Sequence, residues 1–199
     1  MPHIALPPDL PGIVSGFAFR PETAKPMREL AEVLLRGPNT LTSAEREMIA
    51  AFVSSRNECH FCQASHSAAA AHHQQGDYAL VEAVKRDYVS APISPKLKAL
   101  LAIAGRVQES GRQVTADDVQ RARDEGASDR EIHDAVLIAA AFSMFNRYVD
   151  GLATLTPRDD AAYDAMGQRM AHQGYIRNQE SGIGNHESRI TNQESRIKN

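Results

Sequence analysis

Helix-start signals punctuate this chain, and no run of alternating polar and apolar residues long enough for a strand interrupts them. Thr42 stands three residues before Glu45, Thr115 before Asp118 and Ser128 before Glu131, each at capping-box spacing. Ser94 and Pro95 read as an N-cap followed by proline at the first helical position. Behind these signals, apolar residues recur at helical intervals: Met48, Ile49, Phe52 and Val53, then Leu97, Leu100, Leu101, Ala104 and Val107. Residues 135–142 are apolar nearly all round, which marks a central, buried helix. The pattern predicts an all-α, single-domain helical bundle over residues 22–174.

Further helices are expected over 22–35, stopping at Gly37-Pro38, and around 78–85, after the break at Gly76-Asp77. A last one is expected after Pro157, ending near Gly174. Residues 1–21 carry Pro2, Pro7, Pro8, Pro11 and Gly12 and read as an extended N-terminal arm. Residues 175–199 read as a disordered tail. NQESGIG, NHESRIT and NQESRIK are consecutive seven-residue repeats with one isoleucine each, too polar for a coiled coil.

Among 199 residues the only cysteines are Cys59 and Cys62, in a C-x-x-C, with His66 four positions after the second and Glu47 twelve before the first. A hydrophobic content of 42% suffices for a core, the net charge of -3 is modest, and no basic patch argues for nucleic acid. No apolar run is long enough to span a membrane, and the N-terminus shows no secretory pattern, so a cytoplasmic location is expected. Thiols stay reduced there, which favours a catalytic or metal-binding pair over a structural staple.

A thiol attacks as its thiolate, and three local devices could favour that form. Asn57 is expected to act as an N-cap, placing Cys59 in a first helical turn where free N–H groups favour an anion. Cys62 and His66, spaced i, i+4, share one helix face. Glu47, on the preceding helix, could orient His66 as the third member of a triad does. The dipole argument favours Cys59 as the attacking thiol and the histidine argument favours Cys62, and both assignments stand at this point. His60 reads equally as a surface or a site residue. Zinc shared among the cysteines, His66, His72 and His73 is disfavoured. His66 and His73 lie about 10 Å apart along a helix, against ligand distances of ~2 Å. Haem attachment fails because Gln63, not histidine, follows Cys62. Asn146, Arg147 and Tyr148, at the end of the buried helix, read either as pocket lining or as helix-end hydrogen bonding.

E-R-E-M-I-A followed by S-x-x-N-E-C-H-F-C-x-x-x-H resembles the alkyl hydroperoxidase D-like branch of the carboxymuconolactone decarboxylase superfamily, more narrowly its peroxidase-related group. The resemblance extends to PGIVSGFAFRPETAKPMRELAEVLLRGPNTLT and FNRYVDGLA. It implies an all-α, homo-oligomeric protein that is redox-active through a Cys59–Cys62 disulfide. Glu47 and His66 would serve as its proton relay. It also implies no resident cofactor, a hydroperoxide substrate and a dithiol or protein reductant. Alkyl hydroperoxidase D carries a histidine immediately before the second cysteine, whereas this chain has Phe61 there and His60 one place earlier. Successive helical residues point about 100° apart, so His60 is no simple substitute. The rival expectation is a non-enzymatic module whose C-x-x-C exchanges disulfides with a partner or senses redox state.

Overall fold

The protein is described by a computed structural model covering residues 1–176. The seven-residue repeats lie outside the described residues. Among those residues there are nine α-helices and no strand. They are α1 (Ile13–Phe19), α2 (Pro21–Arg36), α3 (Ser43–Arg56), α4 (His60–His72), α5 (Tyr78–Asp87), α6 (Pro95–Glu109), α7 (Ala116–Asp124), α8 (Asp129–Gly151) and α9 (Asp160–Gln173). A 3-10 turn, Gly111–Gln113, joins α6 to α7. All three capping boxes form, and Ser94 caps α6 with Pro95 at its first position. The all-α reading therefore holds.

The core is built around α3 and α4. Nine consecutive residues of α3, Arg46 to Ser54, are buried, as are Ser65 to Ala71 of α4. A helix buried all round needs neighbours on every side, and here α8 and α6 pack beside α3 while α9 lies along α4. The alanine run of α4 permits the close approach of α9. A Cβ placed on Gly167 would lie 2.3 Å from the Ala68 methyl and 2.6 Å from its carbonyl carbon. The buried Arg46 ties α2 to α3 by donating from Nη1 to the carbonyls of Leu34 and Gly37 at 3.0 and 2.9 Å. These carbonyls end α2 and have no helical donor, so a buried cation there satisfies both.

The extended arm is corrected in part. Residues 13–19 form α1, and within 1–21 only residues 1–12 and Arg20 are non-helical. Seven residues are too few for helical propensity to sustain alone, so the packing of α1 supplies the stability. Gly16 admits Tyr148 of α8, whose hydroxyl would lie 2.4 Å from a Cβ at that position. The boundary at 175 is also corrected. Tyr175 packs against the main core and hydrogen-bonds to it, so it belongs to the folded body. Among the described residues no helix is long and apolar enough to cross a membrane.

Two glycine substitutions test this packing with opposite signs. Gly167→Ala gains about 1 kcal/mol of helix propensity but forces α9 off α4, at a cost of about 1–3 kcal/mol. It should lower stability in chemical denaturation. Gly105→Ala, in α6, meets nothing closer than 3.6 Å and should be neutral to stabilising by up to about 1 kcal/mol.

Candidate active site

The turn between α3 and α4 fixes the first cysteine. Asn57 ends α3, Glu58 takes a left-handed φ of 59°, and Cys59 begins α4 as its N-cap. The N–H of Cys59 donates to Ser54 O at 3.1 Å and that of Glu58 to Ser55 O at 3.0 Å. This is the paired bonding of a Schellman motif, with Glu58 where glycine is usual. Cys59 thus serves both helices at once, and its carbonyl accepts the Gln63 N–H at 3.0 Å.

Asn57 is therefore not the N-cap of α4, which corrects the sequence expectation. The left-handed residue after it turns the chain before the new helix begins. Asn57 instead anchors the corner. Its Nδ2 donates to Asn146 Oδ1 at 2.8 Å, and its Oδ1 accepts from Gln108 Nε2 at 2.9 Å. Asn146, buried on α8, donates in turn to Ser54 Oγ at 3.1 Å. The polar residues near the end of α8 thus include one that braces the cysteine turn.

Both cysteines are free thiols, 0% and 4% exposed. They lie in a small apolar cluster with Phe61, Val149 and Tyr163. The neighbouring Cys62 thiol, with burial, pushes the Cys59 thiol well above the ordinary range.

One turn beyond Cys62, His66 is buried, its Nδ1 2.7 Å from Glu47 Oε2. An ionised carboxylate only accepts, so Nδ1 carries the hydrogen and Nε2 is the free ring nitrogen. Glu47 has no solvent exposure. Burial alone would raise its pKa. The opposing pull of His66 first, then of Arg36, with a hydrogen bond from Tyr175, lowers it to about 2.

Arg36 and Tyr175 were not singled out in the sequence. Arg36, the last residue of α2, donates from Nη2 to Glu47 Oε1 at 2.6 Å. The Tyr175 hydroxyl donates to the same oxygen at 2.5 Å. Arg36 followed an expected helix end and Tyr175 opened an expected tail. The chain offers no local signal that either meets Glu47.

Phe61 packs between Gly12 and Tyr163. Its ring is 6.1 Å from that of Tyr163, and a Cβ on Gly12, at φ 52°, would lie 2.1 Å from it. The Phe61 side chain thus docks the N-terminal arm. The exposed His60 ring stands edge-on to Tyr163 at 5.6 Å and lies outside the Glu47 cluster. It borders a cavity of about 560 Å³ between α4, α5 and α9, whose wall includes Ala64 and Tyr163 of the cysteine surroundings. His72 Nε2 is engaged by Asp164 Oδ1 at 2.8 Å. Among the described residues no group of three or more His, Cys, Asp or Glu side chains is arranged to hold a metal ion.

The depressed Glu47 pKa has a signed consequence. Glu47 contributes stability above its ordinary value of 4.5, which is lost as pH falls towards about 2. Glu131 behaves alike: burial would raise its pKa, but Lys96 and the Ser128 cap hold it at about 2. Acid titration of the melting temperature should show a decline across this window. Glu47→Gln should flatten part of it.

The model of the carboxymuconolactone decarboxylase family matches residues 21–104. No curated protein matches the chain. Among solved structures, an uncharacterised peroxidase-related protein from a Silicibacter species is 29% identical, covering 79% of this chain and 80% of that one, with a TM-score of 0.70. The alkylhydroperoxidase core of a peroxidase-related protein from Ralstonia eutropha is 25% identical, covering 80% and 82%, with a TM-score of 0.71. A protein of unknown function from Agrobacterium tumefaciens, 19% identical with a TM-score of 0.64 over 74% of this chain and 99% of that one, shares the fold. The family match spans the helices that carry Glu47, both cysteines and His66, and the structural likeness extends over the bundle around them. Residues 21–104 are thus similar to the carboxymuconolactone decarboxylase family, and the bundle to solved peroxidase-related structures of the alkylhydroperoxidase D type.

Proposed function

We propose that this protein is a thiol-dependent peroxidase that reduces organic hydroperoxides through Cys59 and Cys62. The observation that carries the reading is the Glu47–His66 hydrogen bond one helical turn beyond Cys62, beside a pair of free buried thiols. In this mechanism His66 Nε2 takes the proton of the Cys62 thiol. The thiolate attacks the distal oxygen of the hydroperoxide, the O–O bond breaks, and the alkoxide leaves as alcohol with a proton returned through His66. Cys62 is then a sulfenic acid. Cys59 attacks that sulfur as it gives up its proton, and the proton and the sulfenic hydroxyl leave as water when the Cys59–Cys62 disulfide forms. One hydroperoxide and two thiols thus yield one alcohol, one water and one disulfide. A dithiol or protein reductant returns both thiols, and no resident cofactor takes part.

The burial of both sulfurs bears on the rival reading, direct disulfide exchange with a protein partner. A small oxidant needs far less opening than a macromolecule to reach a sulfur that is 4% exposed. The family resemblance also motivates a homo-oligomeric assembly, which sizing with light scattering would test.

Titrating thiols with and without an organic hydroperoxide tests the chemistry. Two thiols per chain should disappear together and return with dithiothreitol. An unchanged count would remove the peroxidase reading. Cys59→Ser should still form a sulfenic acid that dimedone traps, and Cys62→Ser should not.

The relay makes a separate forecast. His66→Ala and Glu47→Gln should each slow iodoacetamide alkylation near neutral pH and reduce turnover by about 10²–10⁴-fold, the usual worth of acid–base groups. Circular dichroism should show the helices retained. Wild-type alkylation rates in both variants would show that no such relay operates.

A further inference from the structure

Three elements converge on the Glu47 carboxylate, and one of them is the short strap after α9. Gly174 ends that helix at φ 69°, and a Cβ there would lie 2.5 Å from a Glu32 carboxylate oxygen. Only glycine suits both the left-handed backbone and the close approach. The strap turns back over α2, where the Tyr175 N–H donates to Glu32 Oε2 at 2.6 Å. The Tyr175 ring then lies 5.1 Å from the Arg36 guanidinium and stacks on His66 at 6.1 Å.

Arg36 does not fix the carboxylate by itself. Its Nη2 is shared between Glu47 Oε1 and Met170 O, its Nη1 is bonded to Leu35 O, and its buried Nε has no partner. The planar two-point fork that would orient a carboxylate is therefore absent. The Tyr175 hydroxyl supplies the second fixed point on Oε1.

We propose that Tyr175 is a positioning residue of the site: with Arg36 it holds Glu47 Oε1, which leaves Oε2 aimed at His66 Nδ1 and keeps His66 in the tautomer that can accept a proton at Nε2. This inference rests on the proposed role of His66 beside Cys62. Partners of this kind set ring orientation and basicity in histidine sites generally. The other charged or titratable groups around the cluster are Glu32 and Arg36 on α2, Arg46 on α3, His73 on α4 and His172 on α9. All of them remain in a Tyr175→Phe variant, which also keeps the ring over Arg36 and His66. Only the hydroxyl is lost.

The test is the pH profile of iodoacetamide alkylation of the reduced full-length protein, measured with its melting temperature. In Tyr175→Phe the profile should move to higher pH by about half a pH unit, which is about threefold slower alkylation at neutral pH. Glu32→Ala, which frees the strap without touching Glu47, should move it the same way. A Tyr175→Phe profile that superimposes on wild type, or moves to lower pH, overturns the inference whatever happens to the melting temperature. Alkylation needs no peroxide, so the two proposals fail separately. A wild type inert to peroxide with a shifted Tyr175→Phe profile removes only the peroxidase. Peroxide consumption with an unshifted profile removes only the role of Tyr175.

Discussion

A carboxylate with no solvent exposure sits at the centre of this protein, and much of the architecture follows from having to satisfy it. An unpaired buried charge costs several kcal/mol even after relaxation, so Glu47 must be met by partners of opposite charge and by hydrogen-bond donors. His66 comes from α4, Arg36 from the end of α2 and Tyr175 from the strap after α9. Each contact draws a separate element onto α3, and none of the helices can shift far without leaving the charge unpaired. The site is therefore part of the scaffold. The residues proposed to move protons also specify how four segments meet.

The cysteines are held differently, by backbone and by apolar packing. One helix ends and another begins within three residues, and Cys59 belongs to both. Its position is set by two helical frameworks and by the Asn57–Asn146 network behind them, which leaves little freedom between the two sulfurs. The left-handed Glu58 stores roughly 1–2 kcal/mol of backbone strain, which the surrounding structure has to over-determine. Phe61 and Tyr163 close the apolar side of the cluster and Gly12 brings the arm against it. The polar relay and the apolar cysteine pocket thus lie on adjoining parts of α4, joined by the single turn from Cys62 to His66.

Likeness to the carboxymuconolactone decarboxylase family does not by itself assign a reaction, because one bundle can carry different chemistries in different side chains. What distinguishes this chain is the pair of free thiols next to a carboxylate-supported imidazole. The aromatic Phe61 gives the arm its docking surface, and Arg36 and Tyr175 are the further side chains bonded to Glu47.

By itself the sequence determined the class of fold, most helix starts and the four residues Glu47, Cys59, Cys62 and His66. Those features are local: a capping box links residues three apart, an i, i+4 pair shares one face, and both are written in residue type and spacing. Tertiary structure decided the rest. Asn57 became a brace because Glu58, a residue with no special preference for the left-handed region, turned the chain there. Residues 13–19 became helical because α8 and the cysteine cluster cover them. Arg36 and Tyr175 reach Glu47 across 11 and 128 positions of sequence, the second from a segment that composition assigns to the tail. A buried charge demands partners without specifying where along the chain they come from, so only the packed bundle reveals them.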